Sequence, residues 1–328
     1  MKCLAMDFGG SSVKVAVVDE YGNLTKKKRL PTPLESKAQF INMVTELYQN
    51  VKVEVDGIAI SIPGYVDSEK GQLKESGVYQ NLWGCNIPEL LIDLDVPVAV
   101  ENDGNCGALS EVWCGALRGC SDGVVVILGS GIGGGIVKNG KIHHGKYATS
   151  GEISYMILKP GQYGFANSPI FDIGMIGMTY KMCVAKNLDL SIQDAGETLI
   201  AIDKTNEGDT LRKEKKLLIK ADGQQMFKWL DEGDEEIEGI YKEFIQNLAA
   251  MINNIQVIYA PEKIAIGGGL SLQTRIFDDV KKELDKFYFS MGIGEYVHAE
   301  VVPCQYLDET NLLGATYNFM LKNQSLSS

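Results

Sequence analysis

Short apolar runs that end in glycine-rich or charged turns recur from the start of the chain. Residues 3–6 lead into DFGGSS, the run VKVAVV and the turn DEYGN, after which a third run continues into KKKRL. Apolar runs of this length between turn signals predict strands. The runs DGIAISIPG and VPVAVE predict two more. The first part of the chain is therefore expected to build a sheet.

The second half of the chain begins with the same succession of elements. The segment DGVVVILGSGIGGGIVKNGKI predicts a strand, a glycine turn and a second strand, followed by Asn-Gly, a dipeptide that favours a two-residue hairpin. It resembles MDFGGSSVKVAVVDEYGNL near the start. We infer that one supersecondary unit is used twice.

Helical periodicity marks two long segments. In residues 36–48 the apolar side chains of Phe40, Val44, Leu47 and Tyr48 share one helix face. Residues 235–258 carry apolar side chains at positions 237, 240, 244, 248, 252 and 255. We also predict a short helix after Pro88, a strand, glycine turn and helix in EKIAIGGGLSLQTRIFDDVKKEL, and a last helix over 310–321. The segment 189–232 is too charged and too weakly periodic to assign.

The length and the mixture of elements predict two domains. A chain of 328 residues exceeds one ordinary core. Strands alternating with helices in two similar halves indicate two α/β domains with a cleft between them. We expect a smaller domain over residues 1–116 and a larger one over 117–308. The helix near 309–322 is expected to pack back on the first domain.

The charge balance narrows the range of partners. The chain has 31 Lys and Arg against 43 Asp and Glu, a formal net charge of -12. An acidic surface repels phosphate backbones and anionic lipids, so neither nucleic acid nor a membrane is an expected partner. The apolar runs are too short to span a bilayer. Met1 leads directly into the first strand without a signal-peptide pattern, so we expect a cytoplasmic protein.

Cysteine and histidine usage argues against a structural metal. The seven cysteines are scattered without a C-x-x-C pair, and the three histidines lack metal-site spacing to any cysteine. Free thiols in a reducing cytoplasm are the simplest interpretation. We expect no structural zinc.

Three glycine turns follow apolar strands, at residues 7–12, 129–135 and 267–269. Glycine allows close backbone approach, and successive N–H groups in such a turn can form an anion-binding concavity. Each turn alone could equally be a tight connection between strands. Although GSGIGG matches the dinucleotide fingerprint, a hairpin follows it where that fingerprint requires a helix. No Gly-Lys-Ser/Thr is present, so the Walker phosphate loop is excluded as well.

Aspartates lie at the ends of two of the predicted strands. Asp7 begins the first glycine turn, where it could hold the hydration shell of Mg²⁺ or serve as an ordinary turn aspartate. In VAVENDGNCGAL, Asn102 and Asp103 follow a strand and precede a helix. They could simply cap that helix, and the small residues Gly104 and Ala108 would leave room for a ligand beside it.

Six motifs in order resemble those of the ROK family of sugar kinases and repressors, within the actin-like (ribonuclease H-like) ATPase fold. They are DFGGSSVK, SIPGYVD, ENDGNC, GSGIGGGI, SGEISYM and IAIGGGLS. The resemblance implies two similar α/β domains that bind ATP and Mg²⁺ and transfer phosphate to a sugar hydroxyl. It also implies a homodimer.

The resemblance assigns roles to residues of these motifs. Asp103 would be the base that accepts the proton of the sugar hydroxyl. Residues that would bind the sugar are Gly64, Asn81, Asn102, Asp103, Glu152 and Tyr155. Residues that would bind ATP are Asp7, Gly9, Gly10, Ser11, Gly129, Ser130, Gly131, Gly267, Gly268 and Gly269, with Asp7 holding Mg²⁺ through water.

Departures from the family pattern indicate a substrate class. Many members have His at the position of Tyr155 and then a zinc-binding cysteine cluster, whereas YMILKPGQYGFANSP has neither. This variant resembles the β-glucoside kinase branch, which phosphorylates the 6-hydroxyl of disaccharides such as cellobiose. Tyr155 could donate a hydrogen bond in place of His or be a core residue. Aromatic residues that could hold a second sugar ring, or pack in the core, are Tyr65, Tyr79, Trp83, Tyr163 and Phe165.

Other functions compatible with the resemblance stay open. A hexose such as glucose, or an N-acetylhexosamine, could be the substrate. A sugar-sensing protein without catalysis is a further alternative. A DNA-binding regulator is disfavoured, because the family's repressors carry an N-terminal helix-turn-helix domain and the first strand here begins at once.

Overall fold

The structure, a computed structural model, describes residues 1–10, 12–129, 131–161, 164, 167–187, 223–293 and 300–324. Ser11, Ser130, Tyr163 and Phe165, which the sequence proposed for the site, lie outside the described residues. The greater part of the unassigned segment 189–232 lies outside them too.

The first half of the chain builds a five-stranded sheet and a small hairpin. Its strands are β1 (Lys2–Phe8), β2 (Ser12–Asp19), β3 (Leu24–Pro31), β4 (Gly57–Ile62), β5 (Tyr65–Asp67), β6 (Gln72–Glu75) and β7 (Val98–Asn102). The sheet order is β3-β2-β1-β4-β7, and β5 pairs with β6 separately. Strand β2 pairs antiparallel with both β1 and β3, which makes a meander. On its other side β1 pairs in parallel with β4, and β4 pairs in parallel with β7.

The parallel strands bring their carboxyl ends to one edge of the sheet. In register, Asp7 lies opposite Ser61, and Ser61 lies opposite Glu101. Nearly every residue of β1 and β4 is buried, which explains why these strands have continuous apolar runs. The sequence did not predict β5 and β6, because three- and four-residue strands with charged side chains give no clear alternation.

Helices cover this sheet. They are α1 (Lys37–Gln49), α2 (Ile87–Leu90) and α3 (Asp103–Cys114). Helix α1 confirms the predicted helix over 36–48, with Ser36 as its N-cap and the four predicted apolar side chains buried. A three-ten helix, Gln80–Leu82, lies between the small hairpin and α2.

The second half of the chain builds a second five-stranded sheet. Its strands are β8 (Gly123–Leu128), β9 (Ile132–Lys138), β10 (Lys141–Ile142), β11 (Lys263–Gly267) and β12 (Glu300–Pro303), in the order β10-β9-β8-β11-β12. In both sheets the third, second and first strands along the chain are followed by the two later strands in chain order. The two sheets therefore have the same strand order, and the predicted repeat is confirmed. Asn139 and Gly140 have φ of 53° and 70°, as the predicted Asn-Gly hairpin turn requires.

The helices of the second half are α4 (Pro169–Asp172), α5 (Met175–Ala185), α6 (Gly223–Asp231), α7 (Glu235–Tyr259) and α8 (Arg275–Ser290). Helix α7 confirms the predicted helix over 235–258. The side chain of Asp234 caps it, and three glutamates in its first turn interact favourably with the helix dipole. Among the helices in the described ranges, none combines the length and the continuous apolar character that a bilayer crossing requires.

The last helix, α9 (Thr310–Gln324), confirms the predicted helix over 310–321 and packs against α3, β1, β4 and β7. Contacts divide the chain into two units. The first contains Met1–Val125, Gly134–Gly151 and the described part of Gln305–Ser328, and the second contains Val126–Gly133 and the described part of Glu152–Cys304. The domain boundary predicted between residues 116 and 117 stays a prediction.

Candidate active site

The carboxyl end of β1 places Asp7 in the buried part of the first unit. Its Oδ1 accepts hydrogen bonds from Ser61 Oγ (2.9 Å) and Asn311 Nδ2 (3.1 Å). Burial raises the pKa of Asp7, while the bonds from Asn311 and Ser61 and the charge of Lys14 oppose the rise. Among the described residues both hydrogen bonds reach Oδ1, which leaves Oδ2 for an external ligand.

The turn after Asp7 is held from several sides. The N–H of Gly9 donates to the Ser12 carbonyl (3.0 Å), and the Gly9 carbonyl accepts from Thr32 Oγ1 and Tyr79 Oη, both at 3.0 Å. The Gly9 amide is therefore committed within the turn, and a phosphate here would need other N–H groups. A Cβ at Gly9 would lie 3.0 Å from the Ser12 carbonyl oxygen.

At the end of β7, Asn102 caps helix α3. Its Oδ1 accepts from the Asn105 N–H (3.0 Å), so the capping interpretation is confirmed for this residue. Its Nδ2 donates to the Gly64 carbonyl (2.9 Å) and to Asp103 Oδ1 (3.1 Å). One amide thus links the sugar-loop candidate Gly64 to the candidate base.

Asp103 is the first residue of α3, where the helix dipole favours a negative charge. Its Oδ1 also accepts from the Gly104 N–H (2.9 Å). Burial raises the pKa of Asp103 to about 6, with a further rise from the charge of Asp7, against the lowering effect of its hydrogen bonds. A carboxyl with a pKa just below neutrality is ionised at pH 7 and still basic enough to accept a proton.

The small residues of α3 serve the packing of the helix rather than a ligand. A Cβ at Gly104 would lie 2.4 Å from the Gly134 carbonyl oxygen of β9, and one at Gly135 would lie 2.8 Å from the Ala108 Cβ. The backbone of β9 fills the space beside them. The expectation that Gly104 and Ala108 leave room for a sugar is therefore wrong.

Gly64 and Asn81 lie on either side of the small hairpin. Gly64 has φ of +118°, and a Cβ there would lie 2.1 Å from the Glu75 carbonyl oxygen, so only glycine fits. Both amide atoms of Asn81 are buried without a hydrogen-bond partner among the described residues. Because such a group is costly to leave unpaired, the amide of Asn81 is suited to a polar ligand.

The aromatic candidates of the first unit separate into two kinds. Tyr79 is fully buried and packs edge-on against Phe8, which makes it a core residue that also supports the turn at Gly9. Trp83 is 48% exposed, and its indole N–H donates to the Ser76 carbonyl. Tyr65 is half-buried. Of these three, Trp83 presents the largest ring surface to solvent.

The second unit carries the other glycine turns. The Gly129 N–H donates to the Gly131 carbonyl (3.1 Å), and the Met175 N–H donates to the Gly129 carbonyl (3.1 Å). Gly268 has φ of +87°, and a Cβ there would lie 2.1 Å from the Leu128 carbonyl oxygen. Gly267 is also tightly enclosed, with Ile127 Cδ1 at 2.9 Å from such a Cβ, whereas a Cβ at Gly269 would have nothing within 4 Å.

Glu152 is the N-cap of a three-ten helix of the second unit, Ile153–Tyr155, and Tyr155 is its last residue. Tyr155 is 69% exposed, so the interpretation of this residue as a core tyrosine is wrong. Glu152 is half-buried. Both residues make interactions within the structure.

The geometry adds residues that the sequence did not single out. Asn311, in the last helix, reaches Asp7 across a separation of 304 positions. Ser61 lies within the SIPG motif, and Glu101 precedes the candidate base. Only the neighbouring motif could have drawn attention to Ser61 and Glu101, and no sequence signal marks Asn311.

In the portions of the chain that the structure describes, no group of three or more His, Cys, Asp or Glu could hold a metal ion. A hydrated Mg²⁺ needs fewer direct protein ligands, and the buried Asp7 with its unused Oδ2 fits an outer-sphere contact. All seven cysteines are free. The absence of structural zinc stays a prediction.

The repeated strand order and the glycine turns after β1, β8 and β11 define a duplicated actin-like α/β protein. The sequence model of the ROK family matches residues 3–321. The chain belongs to the ROK family.

Several relatives of this chain are named as sugar kinases. A β-glucoside kinase of Listeria innocua is 27% identical over 329 residues, with 98% of each chain covered. An N-acetyl-D-glucosamine kinase of Haemophilus influenzae is also 27% identical, over 85% of this chain and 88% of its own length. The crystal structure of a ROK family protein from Streptococcus pneumoniae in complex with sucrose has a TM-score of 0.81 and 24% identity, with 99% of this chain and 100% of that one covered.

Proposed function

We propose that this protein is an ATP-dependent kinase that phosphorylates the 6-hydroxyl of a β-glucoside such as cellobiose, or of a hexose. The observation that carries the proposal is Asp103, which stands at the start of α3 with a pKa of about 6 and has its oxygen oriented by Asn102 and Gly104. Phosphoryl transfer needs such a carboxylate to accept the proton of the attacking hydroxyl.

The proposed sugar ligands besides Asp103 are polar groups of the candidate motifs. Asn102 is fixed by its cap, by the Gly64 carbonyl and by Asp103, which take both hydrogens of its Nδ2. It can therefore accept a hydrogen bond from a sugar hydroxyl through the second lone pair of its Oδ1. Asn81 supplies a buried amide that has no partner among the described residues. Glu152 and Tyr155 complete the proposed sugar ligands. Several fixed polar groups discriminate against analogues that lack a hydroxyl, because those groups would then stay unpaired.

ATP is bound at the glycine turns. The proposed phosphate ligands are Gly10, Ser11, Gly129, Ser130 and Gly131, and the proposed adenosine ligands are Gly267, Gly268 and Gly269. Asp7 would hold a hydrated Mg²⁺, which would supply positive charge to offset the charge of the transferred phosphate. Gly9 supports the turn by its bond to Ser12 rather than by a free amide.

A β-glucoside is favoured over a monosaccharide by Trp83. Its indole N–H is committed to the Ser76 carbonyl, so the exposed part of the side chain is its apolar ring. Aromatic faces pack well against the apolar faces of larger ligands, and Trp83 lies two residues from the buried amide of Asn81. The similarity to the β-glucoside kinase of Listeria innocua supports the same choice.

The test is ADP release with glucose, cellobiose, gentiobiose, N-acetylglucosamine and N-acetylmannosamine. We expect turnover with the highest kcat/KM on a β-glucoside. Trp83→Ala should raise the KM for the disaccharide about tenfold, roughly 1.4 kcal/mol, and leave the KM for glucose nearly unchanged. Tyr21→Ala removes an aromatic residue that is 81% exposed, in the turn between β2 and β3, and is the control. Sugar binding without any turnover would instead establish a sugar-sensing protein.

A second candidate is an N-acetylhexosamine kinase, since the Haemophilus influenzae relative is equally identical. The same panel distinguishes the two by which sugar has the highest kcat/KM. We further propose that the protein acts as a cytoplasmic homodimer without nucleic acid. Its net charge of -12 supports the last point, and light scattering on the purified protein tests the dimer.

A further inference from the structure

Glu101 is a buried carboxylate directly before the candidate sugar ligand and base. Its side chain is 1% exposed. Its Oε1 accepts from the Asn102 N–H (2.8 Å) and from Asn105 Nδ2 (3.0 Å), and its Oε2 lies 2.8 Å from His144 Nε2. A charge at this depth is tolerated only when it is paired and fully hydrogen-bonded.

His144 follows β10 and places its imidazole against the Glu101 carboxylate. Burial lowers the pKa of His144, but the hydrogen bond and the negative charge of Glu101 outweigh burial and raise it overall. The other charged or titratable groups nearby are Lys322 of α9, Glu69 of the turn between β5 and β6, and Cys106 of α3. The His144 carbonyl also accepts from the Ser150 N–H (3.3 Å), which ties the segment leading towards Glu152 to the same point.

The bonds around Glu101 form a closed ring with the cap of α3. Glu101 binds the backbone of Asn102 and the side chain of Asn105, and Asn102 in turn caps the Asn105 N–H. Asn102, which precedes Asp103, is therefore held both at its backbone N–H and at its side chain. A shift of Glu101 would move Asn102 and Asp103 together.

We propose that Glu101 and His144 form a positioning pair that holds Asn102 and Asp103 in the orientation needed for phosphoryl transfer. This role rests on the proposed kinase function. Neither side chain touches the substrate in this arrangement. Both act through the carboxyl end of β7, where a displacement near 1 Å costs up to about 10²-fold in rate.

His144→Gln is the first test, with His143→Gln as its matched control, because His143 is the exposed neighbour on the same segment. The variants are compared by kcat per folded molecule, with the folded fraction measured by circular dichroism. We expect His144→Gln to lower kcat about tenfold or more with the KM for ATP nearly unchanged, and His143→Gln to keep both constants. A role confined to stability would lower the folded fraction and leave kcat intact.

The double variant Glu101→Gln/His144→Gln tests whether His144→Gln acts by leaving the Glu101 charge unpaired or only by removing the imidazole. It leaves no unpaired buried charge, so it should fold better than His144→Gln and regain part of the lost kcat. If His144→Gln does not fold, kcat of the double variant is measured in its place. Wild-type kcat per folded molecule in both variants would overturn the proposal. A wild-type protein that phosphorylates no sugar would refute the kinase function itself, which is a separate outcome.

Discussion

At the scale of single residues, two aspartates share the buried carboxyl edge of the first sheet and differ in their surroundings. Asp7 receives hydrogen bonds from Ser61 and Asn311, whereas Asp103 receives them from Asn102 and the start of α3. Burial raises the pKa of both. The protein thus keeps carboxylates where ionisation is costly, which is typical of residues retained for chemistry rather than for stability.

Asp103→Asn is expected to stabilise the fold at neutral pH. The pKa of Asp103 is about 6 in the folded state, against 3.8 for an aspartate in water, so the folded state binds the proton more tightly. Stability contributed by this group therefore falls as pH rises from about 4 to about 6. The difference in Tm between Asp103→Asn and wild type should grow between pH 4 and pH 7. A difference that is constant with pH would show that the pKa of Asp103 is not raised.

At the scale of elements, the glycines of a single turn differ in whether another residue could replace them. Gly268 needs both a left-handed φ and the absence of a Cβ, because the Leu128 carbonyl occupies that space, whereas Gly269 has room around it. The turn after β11 therefore combines a position fixed by packing with an open position. The open position is the one at which a ligand could approach the backbone.

Gly268→Ala and Gly269→Ala form a matched pair. Gly268→Ala should destabilise the protein by about 2 kcal/mol or more, since strained φ and a backbone clash combine. Gly269→Ala should leave the free energy of unfolding within about 0.5 kcal/mol and raise the KM for ATP instead. Urea denaturation and ATP titration measure the two effects. Equal loss of stability in both variants would contradict this account.

The sequence predicts those elements whose apolar periodicity and end caps lie within their own segment. Helices α1 and α7 were predicted within one or two residues because their apolar periodicity and caps lie within the segment itself. Residue pairs far apart in sequence could not be predicted in this way. Asn311 reaches Asp7 because the last helix packs against the first sheet, and His144 reaches Glu101 because β10 packs against α3. No pattern in one sequence encodes such a partner.

At the scale of the whole molecule, two units repeat one strand order in a chain with seven free cysteines. The motifs marked all three glycine turns and the candidate base. A motif cannot show, however, that the Gly9 amide is committed to Ser12 or that β9 occupies the space beside Gly104. The segment after Tyr155, which differs from zinc-bearing members of the family, contains no cysteine up to Asp172. The fold must therefore secure this segment by other contacts.

The protein is expected to need no zinc. In the described structure Lys159 of this segment pairs with Asp172 (2.7 Å) and Glu243 (3.0 Å), contacts that join it to α4 and α7. Elemental analysis should find well under one zinc per chain, and EDTA should leave Tm unchanged. EDTA should abolish turnover until Mg²⁺ is added back. One tightly held zinc per chain would refute this expectation.

The central claim is that Asp103 accepts the proton of a sugar hydroxyl during phosphoryl transfer from ATP. The most direct measurement is the pH profile of kcat/KM on the best sugar, for wild type and Asp103→Asn, alongside sugar affinity by calorimetry. Wild-type kcat/KM should rise with pH through about 6 as Asp103 loses its proton. Asp103→Asn should lose at least about 10²-fold in kcat and this pH dependence, with sugar affinity nearly retained. A folded Asp103→Asn protein with wild-type kcat would contradict the claim.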